Sequence, residues 1–480
     1  MVTPPTRTVA APDGRRLAVL RVVIPVTLAV LATLGYGLMG VQQLRNLVAP
    51  SWDLGIFAEL AKAYAELRVP IVPIKGDGVN LLGDHFHPIL VLLGPIWRVW
   101  PSPLSLLWTQ AALFGLSAIP IARLAIDRLG VLTGTVVGAS YVFSFGLQAA
   151  AVVQFHEIAF AVPLLAFSLT ALLRGRVVAT LAWAAPLVLV KEDLGLTVAV
   201  LGLVMVLRFR EQRWAGWSLI GWGLVSFAVS TFVILPAMNT QGHYDYAEKL
   251  GSLLDVFLPG QKWLVVASLL LAAGVIGARS PVIWLMLPTL AWRFTGTVAT
   301  YWDWWYWHYN AVLMPVATVA LLDALGDRRT GESTFLLRSD RPMPGRRVRA
   351  LAVAASVAVT AAMFFFPSSI PLLTVFKPSA WVPPARAASA ETAMAAIPPG
   401  SIVASDITLL ARLVPDHDVQ WTHGPNTRIA DCVLIDAQSF SWNGSPPDSA
   451  AQWAADHFGT PYEGILDDGG FQIACRPGVA

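Results

Sequence analysis

Several acidic and imidazole side chains of this sequence are grouped where apolar segments begin or end. Asp53 follows Ser51 and Trp52, at the point where apolar residues start to recur at helical spacing. A carboxylate in that place could act as a general base, and Asp53 is therefore the candidate catalytic residue. Alternatively, Ser51 or Asp53 could cap the helix and interact with its positive end. The residues alone leave both interpretations open.

A second group contains Asp84, His85 and His87 and stands directly before Pro88. Imidazole and carboxylate groups are ligands for zinc or manganese, so Asp84 and His85 are candidates for a divalent metal site. No HExxH spacing or further ligand fixes such a site, and the cofactor stays unknown. A substrate-facing role for His85 and His87 is the alternative. Asp84 could also be only a helix cap, with Pro88 in the first turn.

Two further groups interrupt apolar runs. His156 and Glu157 lie at a tight turn, where polar residues can simply meet water, although Glu157 must face a polar cavity or a cation. Lys191, Glu192 and Asp193 separate two apolar runs of about fourteen residues each. Such a run reaches about 21 Å as a helix, whereas the hydrocarbon core of a bilayer is about 30 Å thick. The three charges are therefore expected below the membrane surface, lining a wet cavity or pairing with one another, unless the bilayer thins locally.

A fifth group is the aromatic segment 301–310, which has seven aromatic side chains in its first nine positions. Trp and Tyr belong in the belt at membrane interfaces, which is the ordinary explanation. Asp303 and His308 interrupt the segment and could hold hydroxyls or phosphate, while an aromatic face such as that of Trp305 can stack on a sugar ring. The substrate-binding candidates are His85, His87, His156, Glu157, Lys191, Glu192, Asp193, Asp303, Trp305 and His308.

The composition indicates which elements must position these groups. Hydrophobic residues make up 56% of the 480 residues and charged residues 13%, whereas soluble domains carry about 25% charged residues. Disorder, a coiled coil, a disulfide-rich scaffold and a nucleic-acid binder are excluded as the main identity. The predicted fold class is mainly α, a polytopic membrane bundle of about eleven helical spans. The predicted spans are 22–40, 104–125, 131–151, 157–173, 177–190, 194–207, 214–236, 263–278, 281–292, 310–325 and 350–367.

The charges between these spans predict an orientation. Nineteen of the 33 Lys and Arg residues, from Arg7 to Arg349, fall in one set of segments, whereas all eight His residues fall in the other. Because basic loops stay in the cytoplasm, the N-terminus is predicted inside and the C-terminus outside the bacterial cytoplasmic membrane. The first external loop would be 41–103. Its apolar stretch 88–100 is too short to span, so a helix in the interface is expected there.

The composition changes sharply after Pro367. A Pro-rich stretch is followed by strand-like runs that alternate with helical stretches, which predicts a small extracytoplasmic α/β domain over 368–480 after a membrane domain over 1–367. The strand-like runs are 401–405, 419–422 and 431–437, and the helical stretches are 407–413 and 450–457. An external location favours a disulfide between Cys432 and Cys475, with two unpaired buried thiols as the alternative.

Four motifs in the membrane part resemble a bacterial family of predicted membrane proteins that share domain of unknown function 2079. In chain order these motifs are Trp52-Asp53-Leu54-Gly55-Ile56-Phe57, Leu82-Gly83-Asp84-His85-Phe86-His87-Pro88, Phe155-His156-Glu157 and Lys191-Glu192-Asp193. That family is similar in layout to the GT-C membrane glycosyltransferases. These enzymes use polyprenyl-phosphate sugars, take a base from an acidic residue of the first external loop, and often carry a soluble domain after the last span.

The resemblance implies roles by position. Asp53 would take a proton from an acceptor hydroxyl, and a set of three cationic or imidazole side chains would bind the donor phosphate, namely His85, His87 and Lys191. Three acids would orient the acceptor or a divalent ion, namely Glu157, Glu192 and Asp193. Many GT-C enzymes have two adjacent acids at the first position, whereas here Trp52 precedes Asp53, which weakens the case for a metal.

Three hypotheses of function follow. The first is an inverting transferase that moves a sugar from a polyprenyl phosphate to an external glycan, lipid or protein. The second is a transporter or flippase for a lipid or solute, although midplane ionisable residues in repeated halves, which are typical of transporters, do not occur. The third is a non-catalytic envelope scaffold. The sequence shows no Walker loop, GxGxxG, GxSxG or redox Cys motif, so substrates are expected from the lipid or the external side.

Overall fold

The computed structural model describes residues 14–244, 249, 251, 253–326, 344–365 and 371–479. Several predicted features lie outside the described residues. These features are Arg7, the basic stretch 328–343, part of the loop 237–262, and the predicted domain boundary after Pro367.

The described chain is mainly helical, at 67%. The helices before the C-terminal sheet are α1 (Gly14–Arg45), α2 (Asp53–Ala65), α3 (Leu93–Val99), α4 (Pro103–Leu129), α5 (Val131–Val142), α6 (Phe145–Val152), α7 (Ala161–Leu173), α8 (Val177–Ala184), α9 (Leu194–Arg208), α10 (Arg213–Val229), α11 (Leu235–Met238), α12 (Gln261–Ala272), α13 (Leu287–Thr295), α14 (Leu313–Leu325) and α15 (Arg346–Phe365). A π-helical turn, Ser230–Ile234, joins α10 to α11.

Six helical segments of the described chain are long and apolar enough to cross a membrane. They are Arg15–Arg45, Pro103–Leu129, Val131–Val152, Arg210–Met238, His308–Leu325 and Arg346–Phe364. The predicted count of about eleven spans is not confirmed, because the other apolar segments form helices of 10–17 residues or are not continuous α-helix. Proline and glycine interrupt them: Pro186 and Pro281 lie in 3₁₀ segments, and Gly274, with φ of 60°, follows the end of α12.

Burial separates the centre of the bundle from its rim. In the apolar window of His308–Leu325, 94% of the residues are buried, against 22% for Arg15–Arg45 and 28% for both Arg210–Met238 and Arg346–Phe364. The exposed apolar faces of these last three segments would be unfavourable in water. We therefore place α14 at the centre of the bundle, with α1, α10 and α15 facing lipid.

The hairpin of α9 and α10 depends on close backbone approach. A Cβ atom added to Gly202 would lie 2.6 Å from the carbonyl oxygen of Gly216. Small residues of this kind let membrane helices pack backbone to backbone. The packing brings the start of α9, which follows Asp193, alongside the end of α10.

The C-terminal part contains a five-stranded sheet of order β2-β1-β3-β5-β4. Its strands are β1 (Ile402–Ser405), β2 (Asp418–Trp421), β3 (Cys432–Asp436), β4 (Glu463–Asp468) and β5 (Phe471–Cys475). Its helices are α16 (Ala387–Ala395), α17 (Leu410–Leu413) and α18 (Ala450–Phe458). β1 pairs in parallel with β2 and β3, and β5 pairs antiparallel with β3 and β4. The predicted helical stretch 407–413 forms only the single turn of α17.

Cys432 and Cys475 stand opposite each other in the β3–β5 register, and their sulfurs are bonded. The central strand of the sheet is therefore tied covalently to the last strand of the chain.

The sheet packs on the segment Pro73–Lys75, which follows α2, and α2 itself makes the principal polar contacts. The two carboxylate oxygens of Glu59 accept the amides of Ile74 and Val419, each at 3.2 Å. Lys62 Nζ donates to the carbonyl oxygens of Val414 at 2.8 Å and His417 at 2.9 Å. We call this end of the bundle the sheet side.

The apolar stretch after Pro88 forms a 3₁₀ segment followed by α3, and together they are too short to span a membrane.

Candidate functional site

Asp53 is the first residue of α2 and lies at the sheet side. Its amide donates to Ser51 Oγ at 3.3 Å, and its Oδ2 is 3.4 Å from His156 Nε2. Burial pushes the pKa of Asp53 upward, but hydrogen bonds with His156 and Ser51 outweigh burial and hold the pKa below its usual value. The carboxylate thus stands in the first helical turn, where the helix dipole favours negative charge, and also faces an imidazole.

The turn that carries His156 is held by α4. Gln110 Oε1 accepts the amide of His156 at 3.1 Å, and Gln110 Nε2 donates to the carbonyl oxygen of Gln154 at 2.8 Å. The ring of His156 stacks on that of His308, with centroids 3.8 Å apart. Two residues from distant parts of the sequence, one before α7 and one before α14, therefore form one wall beside Asp53.

The Lys191-Glu192-Asp193 turn points its three charges at different partners. Lys191 Nζ lies 3.0 Å from Glu157 Oε1. Asp193 Oδ2 accepts the indole N–H of Trp292 at 3.0 Å. The turn is buried, as Lys191 and Glu192 are exposed by 9% and 3%. Charges at such depth are stabilised because each has a partner.

Glu192 ties the turn to the loop after α2. Its Oε1 is 2.8 Å from His85 Nδ1 and accepts the hydroxyl of Tyr244 at 3.0 Å. Its Oε2 accepts the amide of Phe86 at 3.1 Å. The loop group 84–87 and the turn 191–193, which are about a hundred residues apart in sequence, are thereby joined.

The other members of the loop group have separate surroundings. Asp84 Oδ1 lies 2.6 Å from Lys75 Nζ. His87 is 1% exposed, and within the described part of the chain its Nδ1 has no hydrogen-bond partner. Burial lowers the pKa of His87 to about 4, so the ring is neutral at physiological pH.

These groups surround one cavity of about 740 Å³. Most of the predicted candidates line it, and these are Asp53, Asp84, His85, His87, His156, Glu157, Lys191, Glu192, Asp193 and His308. An apolar wall faces them and includes Leu196, Phe227 and Phe232. Phe232 is 70% exposed on the lipid-facing side of the bundle, so the cavity runs from polar side chains toward the bilayer.

Asp303 and Trp305 are not among the residues that line this cavity. The backbone carbonyl of Asp303 accepts Asn310 Nδ2 at 3.2 Å, and Trp305 packs edge to face on Tyr306. The aromatic segment contributes Tyr301, Trp307, His308 and Tyr309 to the lining instead. Asp303 and Trp305 fall in the irregular stretch between two 3₁₀ segments, Ala299–Trp302 and His308–Asn310, and not in the turns that supply Tyr301, His308 and Tyr309 to the lining.

Several lining or supporting residues were not predicted from the sequence, namely Lys75, Gln110, Tyr244 and Trp292. Lys75 carried a usable signal, since the chain has only six lysines and this one lies in the predicted first external loop. Trp292 and Gln110 lie within predicted spans, where hydropathy does not indicate which way a side chain points.

The described residues include no group of three or more His, Cys, Asp or Glu side chains arranged to hold a metal ion. Asp84 and His85, the two metal candidates, are instead paired with Lys75 and Glu192.

A family model described as predicted membrane protein DUF2079 matches residues 43–457. The chain belongs to the DUF2079 family. The match includes all four motifs that line or flank the cavity. A search of curated proteins finds no match to this DUF2079 chain.

Among solved structures, the DUF2079 chain is similar to ArnT from Cupriavidus metallidurans, whose crystal structure has undecaprenyl phosphate bound. The two are 13% identical, the TM-score is 0.51, and the likeness covers 95% of this chain and 98% of ArnT. ArnT is a GT-C glycosyltransferase. At this identity the likeness shows a GT-C-like fold and no more.

Proposed function

We propose that this protein is a GT-C-like glycosyltransferase that moves a sugar from a polyprenyl-phosphate donor to an acceptor at the outer face of the cytoplasmic membrane. The observation that carries the proposal is the cavity itself. One wall is apolar and reaches the lipid-facing surface at Phe232, while the other holds a buried ammonium, imidazoles and an ionised carboxylate. A lipid with a phosphorylated head group has the matching two parts, an apolar chain and a charged head.

The donor would enter from the bilayer, with its isoprenoid chain against Phe227 and Phe232. Its phosphate would lie toward Lys191, with His85 and His87 as further contacts. A positive group at the phosphate stabilises the negative charge that develops as the sugar leaves, and it acts strongly where water is excluded. Lys191 is held in place by Glu157, so it is already oriented when the donor arrives.

Asp53 would act as the base. The acceptor hydroxyl loses its proton to an Asp53 carboxylate oxygen while its own oxygen forms a bond to the anomeric carbon of the sugar. The bond from that carbon to the phosphate oxygen breaks, and polyprenyl phosphate leaves with the electron pair. The low pKa of Asp53 keeps the carboxylate ionised at neutral pH, and His156 orients it. Glu192 and Asp193 would shape the site from the opposite side.

The proposal includes an orientation. Residues 1–367 would form the membrane domain with a cytoplasmic N-terminus, and 368–480 an extracytoplasmic domain that covers the site. The division agrees with the contrast between the apolar bundle and the sheet, and the positive-inside rule sets its direction.

The first test measures the binding of undecaprenyl phosphate to the purified full chain by native mass spectrometry. Lys191→Ala should weaken binding about tenfold or more, a loss of about 1.4 kcal/mol per tenfold step. The double variant Lys191→Met with Glu157→Gln, which removes the ammonium without stranding a carboxylate, should lose affinity to a similar extent. Lys377→Ala, an exposed lysine outside the cavity, is the matched control. Equal binding by the wild type and all three variants would contradict the proposal.

A further inference from the structure

A second cavity of about 330 Å³ adjoins the first. Its walls come from three separate segments, which are the loop after α2, residues 239–241 after α11, and the loop after β2. We call it the polar annex, and its polar lining includes Asp77, Asn80, Asn239, Gln241 and Thr427. Its volume is at the lower end of the range for small-molecule sites, which is about 300–1,000 Å³.

The walls of the polar annex are fixed by specific contacts. Asp77 Oδ2 accepts the hydroxyl of Thr427 at 2.8 Å and the amide of Arg428 at 3.1 Å, which ties the loop after α2 to the sheet. On the other side, a Cβ atom on Gly83 would lie 2.5 Å from the backbone of Met238. The walls of the annex are thus built from packed backbone and paired side chains.

One ion pair separates the two cavities. Lys75 and Asp84 line both of them, and their charged atoms are 2.6 Å apart. Lys75 Nζ also lies 5.9 Å from the centre of the Trp52 ring, next to Asp53 in sequence. A molecule that passes from the annex into the first cavity beside Lys75 therefore arrives on the side of the candidate base.

The two cavities differ in chemistry. The first has an apolar wall that reaches the lipid-facing surface, whereas the described residues that line the annex include no aromatic side chain. Instead they supply amide, hydroxyl, carboxylate and ammonium groups, which donate and accept hydrogen bonds. Convergent polar groups of this kind select ligands that carry many hydroxyls.

We propose that the polar annex binds the acceptor, and that the acceptor is the hydrophilic end of a saccharide that arrives from the aqueous side. This inference rests on the proposed function, because it names the second substrate of the same reaction. The donor and the acceptor then approach from opposite directions, one through the lipid-facing wall and one past Lys75 and Asp84. The hydroxyl that attacks is the one that passes this ion pair and reaches Asp53.

The test uses the full chain loaded with its lipid-linked sugar in nanodiscs. The probes are two fractions of the cell envelope, one of water-soluble saccharides and one of lipids extracted into organic solvent. Native mass spectrometry follows the loss of the sugar mass from the bound lipid. The water-soluble fraction should discharge the sugar, and the lipid fraction should not.

Gln241→Trp fills the polar annex with a large side chain and should slow discharge by the water-soluble fraction about tenfold or more. Gln241→Ala leaves the space open and should have a smaller effect. Gln452→Trp, at an exposed position on α18, is the matched control and should react at the wild-type rate. Unchanged binding of undecaprenyl phosphate by Gln241→Trp shows that the variant is folded.

The two proposals fail in different ways. Discharge by the lipid fraction, unaffected by Gln241→Trp, would overturn the saccharide acceptor while leaving the transferase intact. No discharge by either fraction would also overturn the saccharide acceptor, while the separate measurement of undecaprenyl phosphate binding decides the transferase.

Discussion

Asp53 and Lys191 are connected by only two intervening side chains. His156 lies 3.4 Å from Asp53, and its neighbour in sequence, Glu157, lies 3.0 Å from Lys191. One dipeptide therefore holds the candidate base with one residue and the candidate phosphate-binding ammonium with the other. A change at either residue of this dipeptide is expected to affect both groups.

The pair of Glu157 and Lys191 gives a prediction at the scale of residues. Glu157→Gln strands a buried ammonium and should destabilise the protein by about 3–5 kcal/mol. Glu157→Gln combined with Lys191→Met removes both charges and should destabilise it less than Glu157→Gln alone. The measurement is the unfolding of the two variants and of Lys191→Met in one detergent, as a double-mutant cycle. Additive losses would show that the two charges do not interact.

Residue types and spacing predicted which residues line the cavity better than they predicted which of these residues contact one another. Sequence indicated the groups around Asp53, His85, His156 and Lys191, because charges beside apolar runs need a polar neighbour. It could not predict that Glu192 would pair with His85, since that contact depends on how a loop folds over a distant turn. Within the aromatic segment it could not predict which side chains face the cavity, because period and composition do not fix side-chain directions in the irregular stretch 303–307.

At the scale of elements, α2 has two different faces. Its first residue faces the cavity, while Glu59 and Lys62 hold β2 and the turn before it. Apolar periodicity located the start of α2 and the runs that form β1, β2 and β3, but it did not locate β4, and it could not predict that a buried carboxylate would join α2 to β2. The two runs around Lys191 were predicted as short spans, and they form apolar helical segments of 10–17 residues. The number of spans could not be obtained from hydropathy, because proline and glycine break several runs.

Glu59 gives a prediction at this scale. Burial raises the pKa of Glu59 to about 8 from its ordinary 4.5, against the opposing effect of the amides of Ile74 and Val419. The folded protein therefore binds this proton more tightly than the unfolded chain does. The resulting stability is fully present below about pH 4.5 and is lost as the pH rises through about 8.

The measurement is the melting temperature of the full chain between about pH 5.5 and about pH 8.5, a range in which this group contributes on the order of 3 kcal/mol. The wild type should lose more stability over that range than Glu59→Gln, which cannot ionise. Parallel losses in the two proteins would show that Glu59 does not titrate in this range.

At the scale of the whole molecule, the fold places a cavity between a lipid-facing hairpin and the loops at the sheet side of the bundle. The apolar wall comes from α9 and α10 with the π-helical turn, and the polar wall comes from the loop after α2 and the segments before α7, α9 and α14. The sheet covers this end of the bundle. In the proposed function, this arrangement would bring a lipid and a water-soluble molecule to one point. The chain shares a GT-C-like fold with ArnT.

The most direct test of the transferase compares the lipid bound to the wild type with the lipid bound to Asp53→Asn, both purified gently from the same host. The substitution keeps the size of the side chain at this position and removes its charge and basicity. Native mass spectrometry should find polyprenyl phosphate, the product, on the wild type and the same lipid heavier by one sugar on Asp53→Asn. The same bound lipid on both proteins, with no sugar mass on either, would contradict the account.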